Sequence, residues 1–321
     1  MDDRFDRIGL AVHPRRGLDN ALASVRDWSQ RQDAELVQVA ALDREVAPPG
    51  EAADCDLVIA LGGDGTTLAA LHAAAPGGKP VLGVACGSLG ALSSVTADKL
   101  DEALDRVAAG DWRPRPLPAL SAVHDGAEPL HALNDLVLVR AGAGQVLIEV
   151  TVDGERYVGF GGDGLVAATP LGSTAYTLAA GGPMIAPGGS ALVLTPLSPH
   201  GGVCPPLVAG AGNEIEVTLD PGNGGARVEV DGQIKAVLDR LETITFTLRL
   251  EPDFATLVSL GEEESTIAGL RRRRILMDSP RVLARDDREA QSGGRSQPPS
   301  DDSSSAASDS SVRSEPRAPI T

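Results

Sequence analysis

An apolar run that ends in a glycine-rich turn constrains this chain more than any other feature. Asp56-Leu-Val-Ile-Ala-Leu61 leads directly into Gly62-Gly-Asp-Gly65, and a largely small and apolar segment follows. The run reads as a buried strand and the segment after the turn as a helix over 67–75. Glycines let the backbone approach a phosphate closely, and a helix N-terminus offers free N–H groups. A carboxylate among those donors repels phosphate. Asp64 makes sense there if it takes a proton or holds a metal bound to the phosphates. A plain strand-to-helix turn is the bland alternative.

The same alternation surrounds this unit. Strand patterns cover 7–12, 34–41 and 80–85, and helical patterns cover 18–31 and 98–109. Leu100, Ala103, Leu104 and Val107 supply the helical spacing of the last segment. Strands alternating with helices predict a parallel sheet with helices on its faces. Ligands sit at the carboxyl ends of such strands, where Asp64 lies. Near Pro114, Pro116 and Pro118 the pattern changes, and that stretch reads as a connector. Beyond it 215–219, 227–230 and 242–250 alternate polar and apolar residues, while Asp153-Gly154 and 221–225 read as hairpin turns. The predicted fold is α/β: an N-terminal parallel-sheet α/β domain over 1–115, then a mostly antiparallel β domain over 116–277. The remainder, 278–321, is a Ser-, Asp- and Arg-rich tail without an apolar pattern, expected to be disordered.

Charge narrows the partners. The chain of 321 residues carries a net charge of −17. Only −2 of this falls within 278–321, which leaves −15 on the rest. Such acidity argues against nucleic acid and anionic membranes as partners. An anionic ligand must then be met by local donors. Lysine occurs only at 79, 99 and 235. High acid with little lysine suits a salt-adapted cytoplasm, and codon bias in a GC-rich genome is the competing account. Cys55, Cys86 and Cys204 are scattered without metal-ligand spacing, which fits a reducing compartment. The acidic start lacks an apolar signal region, and no apolar run approaches membrane-spanning length, so a cytoplasmic location is expected.

A second segment, Asp163-Gly-Leu-Val-Ala-Ala-Thr-Pro-Leu-Gly-Ser-Thr-Ala-Tyr176, continues into Ala180-Gly-Gly-Pro183. Hydroxyls of Ser173 and Thr174 and nearby backbone N–H groups suit polar ligand atoms, and Tyr176 offers a ring face and a hydroxyl. With the turn at Asp64, the pair Asn134-Asp135 and the later Asp231-Gly-Gln233, the sequence resembles the NAD kinase family over roughly residues 5 to 262. A divergent halophilic archaeal member would fit the composition.

The resemblance implies transfer of the ATP γ-phosphoryl group to the 2′-hydroxyl of the adenosine ribose of NAD, with a divalent ion, usually Mg²⁺, on the phosphates. It implies Asp64 as general base and Gly62, Gly63 and Gly65 as a phosphate cradle. Asn134 and Asp135 would grip ribose hydroxyls and adenine. Asp163, Thr174, Ala175 and Tyr176 would meet the nicotinamide half and the adenine from a neighbouring subunit, so a homo-oligomer is expected, a dimer or tetramer. Gln233 matches a further ligand contact. No side chain is assigned as a metal ligand.

The chain departs from the family pattern at five places. Ala85 stands for an Asn, Ala91 for a Phe expected beside the nucleotide, Ala69 for a common basic residue and Pro205 for an Arg. Asp135 replaces the usual Glu and is one methylene shorter. These changes leave two other readings open: a divergent paralogue acting on another nucleotide-like or lipid hydroxyl, or a catalytically silent NAD-binding sensor.

Overall fold

The computed structural model describes residues 5–40, 44–239, 242–261 and 266–285. The first half alternates as its pattern requires: β1 (Arg7–Val12), α1 (Asp19–Gln32), β2 (Glu35–Ala40), β3 (Leu57–Gly62), α2 (Asp64–Ala74), β4 (Pro80–Ala85), the short β5 (Val95–Thr96) and α3 (Leu100–Ala108). Strands β4, β3, β1 and β2 lie side by side and parallel. Helices cover both faces, as fully buried parallel strands demand. On one face Leu22, Val25 and Trp28 of α1 and Leu104 and Val107 of α3 pack on Ile8, Leu10, Ile59 and Leu82. On the other, Ala70, Leu71 and Ala74 of α2 pack on Val58, Ala60 and Val81.

The rest of the chain is strand-rich: β6 (Arg113–Val123), β7 (Leu130–Ala132), β8 (Asp135–Arg140), β9 (Val146–Val152), β10 (Glu155–Gly162), β11 (Gly164–Ala168), the single turn α4 (Tyr176–Ala179), β12 (Ala191–Leu197), β13 (Leu207–Gly210), β14 (Ile215–Asp220), β15 (Ala226–Val230), β16 (Gln233–Leu238), β17 (Ile244–Ser259) and then α5 (Thr266–Arg272). A six-stranded sheet runs β13-β12-β11-β8-β15-β16 and is antiparallel throughout. Strands β10, β9, β14 and β17 extend the parallel sheet on its β4 side, and β5, β6 and β7, paired off this path, complete an 11-stranded sheet. The α/β-then-antiparallel architecture is therefore as expected. Both sheets close on one core, in which Ile148, Val150, Val217 and Phe246 face Leu136, Leu138, Leu165 and Val228.

The proline segment is not a connector. Residues 113–119 form the first part of β6 and pair with β17 from Pro114↔Val258 to Leu117↔Ala255. Prolines at 114, 116 and 118 follow the period of a strand, so every missing N–H falls on the same edge. Over this stretch that edge has no partner strand among the described residues, and Arg113, Arg115 and Leu117 keep the N–H groups directed at β17.

The Asp153-Gly154 hairpin forms as expected, with positive φ at both residues between β9 and β10. No helix among the described residues is long and apolar enough to cross a membrane. The described residues up to Arg273 form one compact unit and those from Arg274 belong to a second, in which Val282 N–H bonds the Ser279 carbonyl. Most of the expected tail lies outside the described residues.

Candidate active site

The site is assembled around the head of α2. Gly62 ends β3 and Gly63 caps the helix, so Asp64 is its first residue. A side chain at Gly62 would run into Thr66, which is why the turn needs a bare backbone there. The N–H groups of Thr66 and Thr67 both bond the Gly63 carbonyl. Those of Asp64 and Gly65 have no acceptor within the helix and are available to an anion. The Asp64 carboxylate reaches the loop after β4. Its Oδ2 accepts the Ala91 N–H at 3.0 Å and its Oδ1 the Leu92 N–H at 3.1 Å.

Two cavities meet this helix head and share Gly65 and Ala69 in their walls. One, of about 370 Å³, also exposes His13, Arg16, Gly63, Asp64 and Thr66. The Arg16 guanidinium bonds the Cys86 carbonyl at 3.4 Å and lies beside Gly87, where a Cβ would have to push it aside. The other, of about 770 Å³, runs along α2 toward the β15–β16 hairpin, past His72, His131, Asp231, Gln233 and Phe254.

The remaining predicted residues come to α2 through Asp231. With Gly232 it forms a two-residue hairpin tip with positive φ at both positions. From there its carboxylate turns back onto the chain before β8. Oδ1 accepts the N–H groups of Asn134 and Asp135 at 2.7 and 3.1 Å, and Oδ2 that of Leu133 at 2.9 Å. The segment 169–176 is fastened to the same place. Thr169 bonds Leu133 and Asn134, and Gly172 packs so tightly on the Asn134 backbone that no side chain would fit. Leu133 and Leu171 share a core with Leu71 of α2. Asn134, Asp135, Thr174, Ala175 and Tyr176 thus sit on one framework beside the helix that begins with Asp64. Tyr176 is 43% exposed, so its ring is open to a ligand.

Ser173 does not contribute its hydroxyl to a ligand. It is fully buried, donates to the Pro170 carbonyl at 2.6 Å and accepts the Ile185 N–H at 3.0 Å. Gln233 opens β16 and accepts the Lys235 ammonium at 3.1 Å. Asp135 is only 6% exposed. Burial first, then the Asp231 and Glu229 carboxylates, push its pKa up to about 7.

Asp163 is elsewhere. It precedes β11, while Asn134 and Thr169 lie at the strand's other end. Five residues of extended chain place it about 17 Å away. There Arg140 Nε bonds it at 2.6 Å. That bond, with a further one from the Ser198 hydroxyl, holds its carboxyl below the usual range.

A helix that opens with a carboxylate at a glycine turn, beside an Asn-Asp pair fastened to a Gly-Ser-Thr-Ala-Tyr segment, has a counterpart among known proteins. Residues 5–112 match the ATP-NAD kinase N-terminal domain and 133–248 the ATP-NAD kinase C-terminal domain. The chain belongs to the ATP-NAD kinase family. An NAD kinase of Heliobacterium modesticaldum is 39% identical over 218 residues, 64% of this chain and 77% of that protein. An NAD kinase of Clostridium beijerinckii is 33% identical over 244 residues, 74% and 86% of the two chains. The fold agrees with a yeast NADH kinase solved with NADH, at TM-score 0.70 and 22% identity over 86% of this chain and 89% of that one. It agrees also with an Archaeoglobus fulgidus NAD kinase solved with ATP, at TM-score 0.65 and 23% identity over 83% and 98%. As a member of this family the chain is an enzyme that phosphorylates NAD to NADP at the expense of ATP.

Two members of the framework escape a reading of the NAD kinase motifs: Arg16 and His72. Asp231 enters that reading as part of Asp231-Gly-Gln233, without a role of its own. His72 had a weak signal, since eight residues after Asp64 it lies two turns along the same helix.

Proposed function

We propose that phosphoryl transfer takes place at the head of α2, with Asp64 accepting the proton of the NAD 2′-hydroxyl as that oxygen bonds to the γ-phosphorus of ATP and the bond from that phosphorus to the β,γ-bridging oxygen breaks, releasing ADP. Each carboxylate oxygen has two acceptor sites, and the Ala91 and Leu92 N–H groups occupy one on each. Asp64 is thereby aimed and still able to accept. An ordinary carboxylate is a weak base for an alcohol, so alignment of the hydroxyl contributes more than basicity. The free N–H groups of Asp64 and Gly65 would meet the donor phosphates, with Gly62 and Gly63 keeping the approach open. Arg16, in the same cavity wall, is the cation that stands in for those absent at Ala69 and Pro205. Asn134, Asp135, Thr174, Ala175 and Tyr176 would hold the adenosine of NAD, and Gln233 a more distant part of the dinucleotide.

A divalent ion fits this site only as a passenger. Among the described residues no group of three or more His, Cys, Asp or Glu could hold a metal. Mg²⁺ commonly binds through substrate phosphates and one carboxylate, and Asp64 is the carboxylate at hand. Bound there, it would neutralise charge on the phosphates.

The position of Asp163 supports a shared site. A residue about 17 Å from Asn134 along its own sheet can meet the same dinucleotide from a second copy, so we take the active form to be a homo-oligomer. The division into 1–115, 116–277 and 278–321 and the cytoplasmic location belong to the same reading.

The observation that carries the proposal is that the Asp64 carboxylate is held by the Ala91 and Leu92 N–H groups at the head of α2, while Asp231, bonded to the N–H groups of 133–135, meets His72 of the same helix. Its test is formation of NADP from NAD, ATP and Mg²⁺ by Asp64→Asn, expected to fall by about 10²-fold or more with the fold retained. Turnover near that of the parent overturns the assignment. Mixing Asp64→Asn with Asp163→Ala tests the shared site. Hybrid oligomers with activity above either variant alone are expected, and no gain on mixing removes it.

A further inference from the structure

His72 and Asp231 form a contact that neither the phosphate turn nor the dinucleotide motifs require. Nε2 of His72 lies 2.6 Å from Asp231 Oδ2. The carboxylate can only accept, so Nε2 carries the proton. Asp231 is nearly enclosed, at 5% side-chain exposure, and His72 is one-third open at 32%. The ring is braced from behind: Phe254 meets it edge-on at 6.3 Å, and His131 stacks on Phe254 at 4.6 Å.

The two partners belong to different parts of the fold. His72 is on α2, in one rigid piece with Asp64. Asp231 is on the β15–β16 tip and bonds the N–H groups of 133, 134 and 135, while its own N–H returns to the Asp135 carbonyl. Among the described residues, the hydrogen bonds of Asp231 lead to the 133–135 segment, except one, which leads to the helix of Asp64. A link of this kind sets a distance rather than adding a contact to substrate.

We infer that His72 and Asp231 are positioning residues for phosphoryl transfer, a latch that holds the dinucleotide-gripping segment at 133–135 in register with Asp64. The inference rests on the placement of NAD and Asp64 proposed above. With the latch open, the 2′-hydroxyl is held at the wrong distance from Asp64 and from the donor phosphorus. Misplacement by about 1 Å costs on the order of 10²-fold in rate. The phosphate turn itself does not depend on the latch, so donor binding is spared.

Steady-state kinetics of the full chain with NAD and ATP varied in turn, alongside melting temperatures, tests this. His72→Ala is expected to lose about 10²-fold in kcat/KM for NAD. Its KM for ATP should stay within about twofold of the parent. His72→Gln places an amide N–H where Nε2 stands and is expected to recover most of the loss. A general loss of packing would shift both substrates and would not be rescued by Gln. The latch is overturned if His72→Ala keeps kcat/KM for NAD, if ATP and NAD are affected alike, or if Gln is no better than Ala. Should His72→Ala fail to fold, His72→Leu fills the ring's space without a donor and carries the same expectations. Asp64→Asn run in parallel separates the two ideas: full turnover there removes the site, whereas a loss there with none in His72→Ala removes the latch alone.

Discussion

Gly90 lies directly beneath the carboxylate of Asp64. A Cβ built on Gly90 would overlap Oδ1, while the next two residues donate their N–H groups to the same carboxylate. The loop after β4 and the first residue of α2 are thus fitted to each other, and glycine at 90 is a condition of that fit.

Gly90→Ala should therefore displace either Asp64 or the loop. NADP formation is expected to fall by about 10²-fold, the scale of a misplaced catalytic group, with the melting temperature changed little because Gly90 is partly exposed. Activity within a few-fold of the parent would show that the close fit is dispensable.

Asp135 gives a pH signature. Its folded-state pKa is pushed from 3.8 to about 7, so the folded protein holds this proton more tightly than the unfolded chain. The associated stability is present below about pH 4 and is lost as pH rises through about 7. Asp135→Asn has no proton to lose. Its unfolding free energy relative to the parent should climb between those limits and level off above them, by on the order of 2–4 kcal/mol, with the melting temperature following. A difference that is constant over the range would mean Asp135 is ionised throughout.

Ala91 tests the weakened nucleotide side. It is partly exposed beside Asp64, where the family pattern has an aromatic ring. A ring stacked on a base contributes about 1–3 kcal/mol, so Ala91→Phe should tighten NAD binding by about tenfold. Paired with Ala85→Asn, the gain should grow. The gain shrinks if neighbours already fill the space, since overpacking is itself costly. Calorimetry of the folded double variant decides; unchanged or weaker binding would mean the pocket has been rebuilt around Ala91.

The acidity makes a prediction about salt. With −15 outside 278–321, self-repulsion is greatest at low ionic strength, where the Debye length is about 30 Å at 0.01 M. Melting temperature should rise as KCl is raised toward molar concentrations. Equal stability at both ends of the series would leave codon bias as the account of the composition.

Local rules carried a good part of this protein. The 3.6-residue period predicts α3 and the two-residue period β14 within a few residues of their observed ends, because each buries one apolar face in any fold, while apolar and small-residue runs mark β1 and α2. The turn at Asp64 and the Asp153-Gly154 hairpin are backbone chemistry, readable from residue type. The proline run at 114–118 misled for the same reason. Proline's local meaning is a break, and only the pairing of β6 with one neighbour shows that a single unpaired edge absorbs all three. The gathering of the site lay beyond local rules altogether. Nothing in the spacing of His72, Asn134, Gly172 and Asp231 places them together, and nothing in the Asp163–Tyr176 motif separates Asp163 from its other end. Those relations follow from strand order and register, which arise when distant apolar faces share one core. Sequence alone determined which residues can do the chemistry, since that is a property of side chains; tertiary structure decided which of them meet, since that depends on how the two sheets pack around α2.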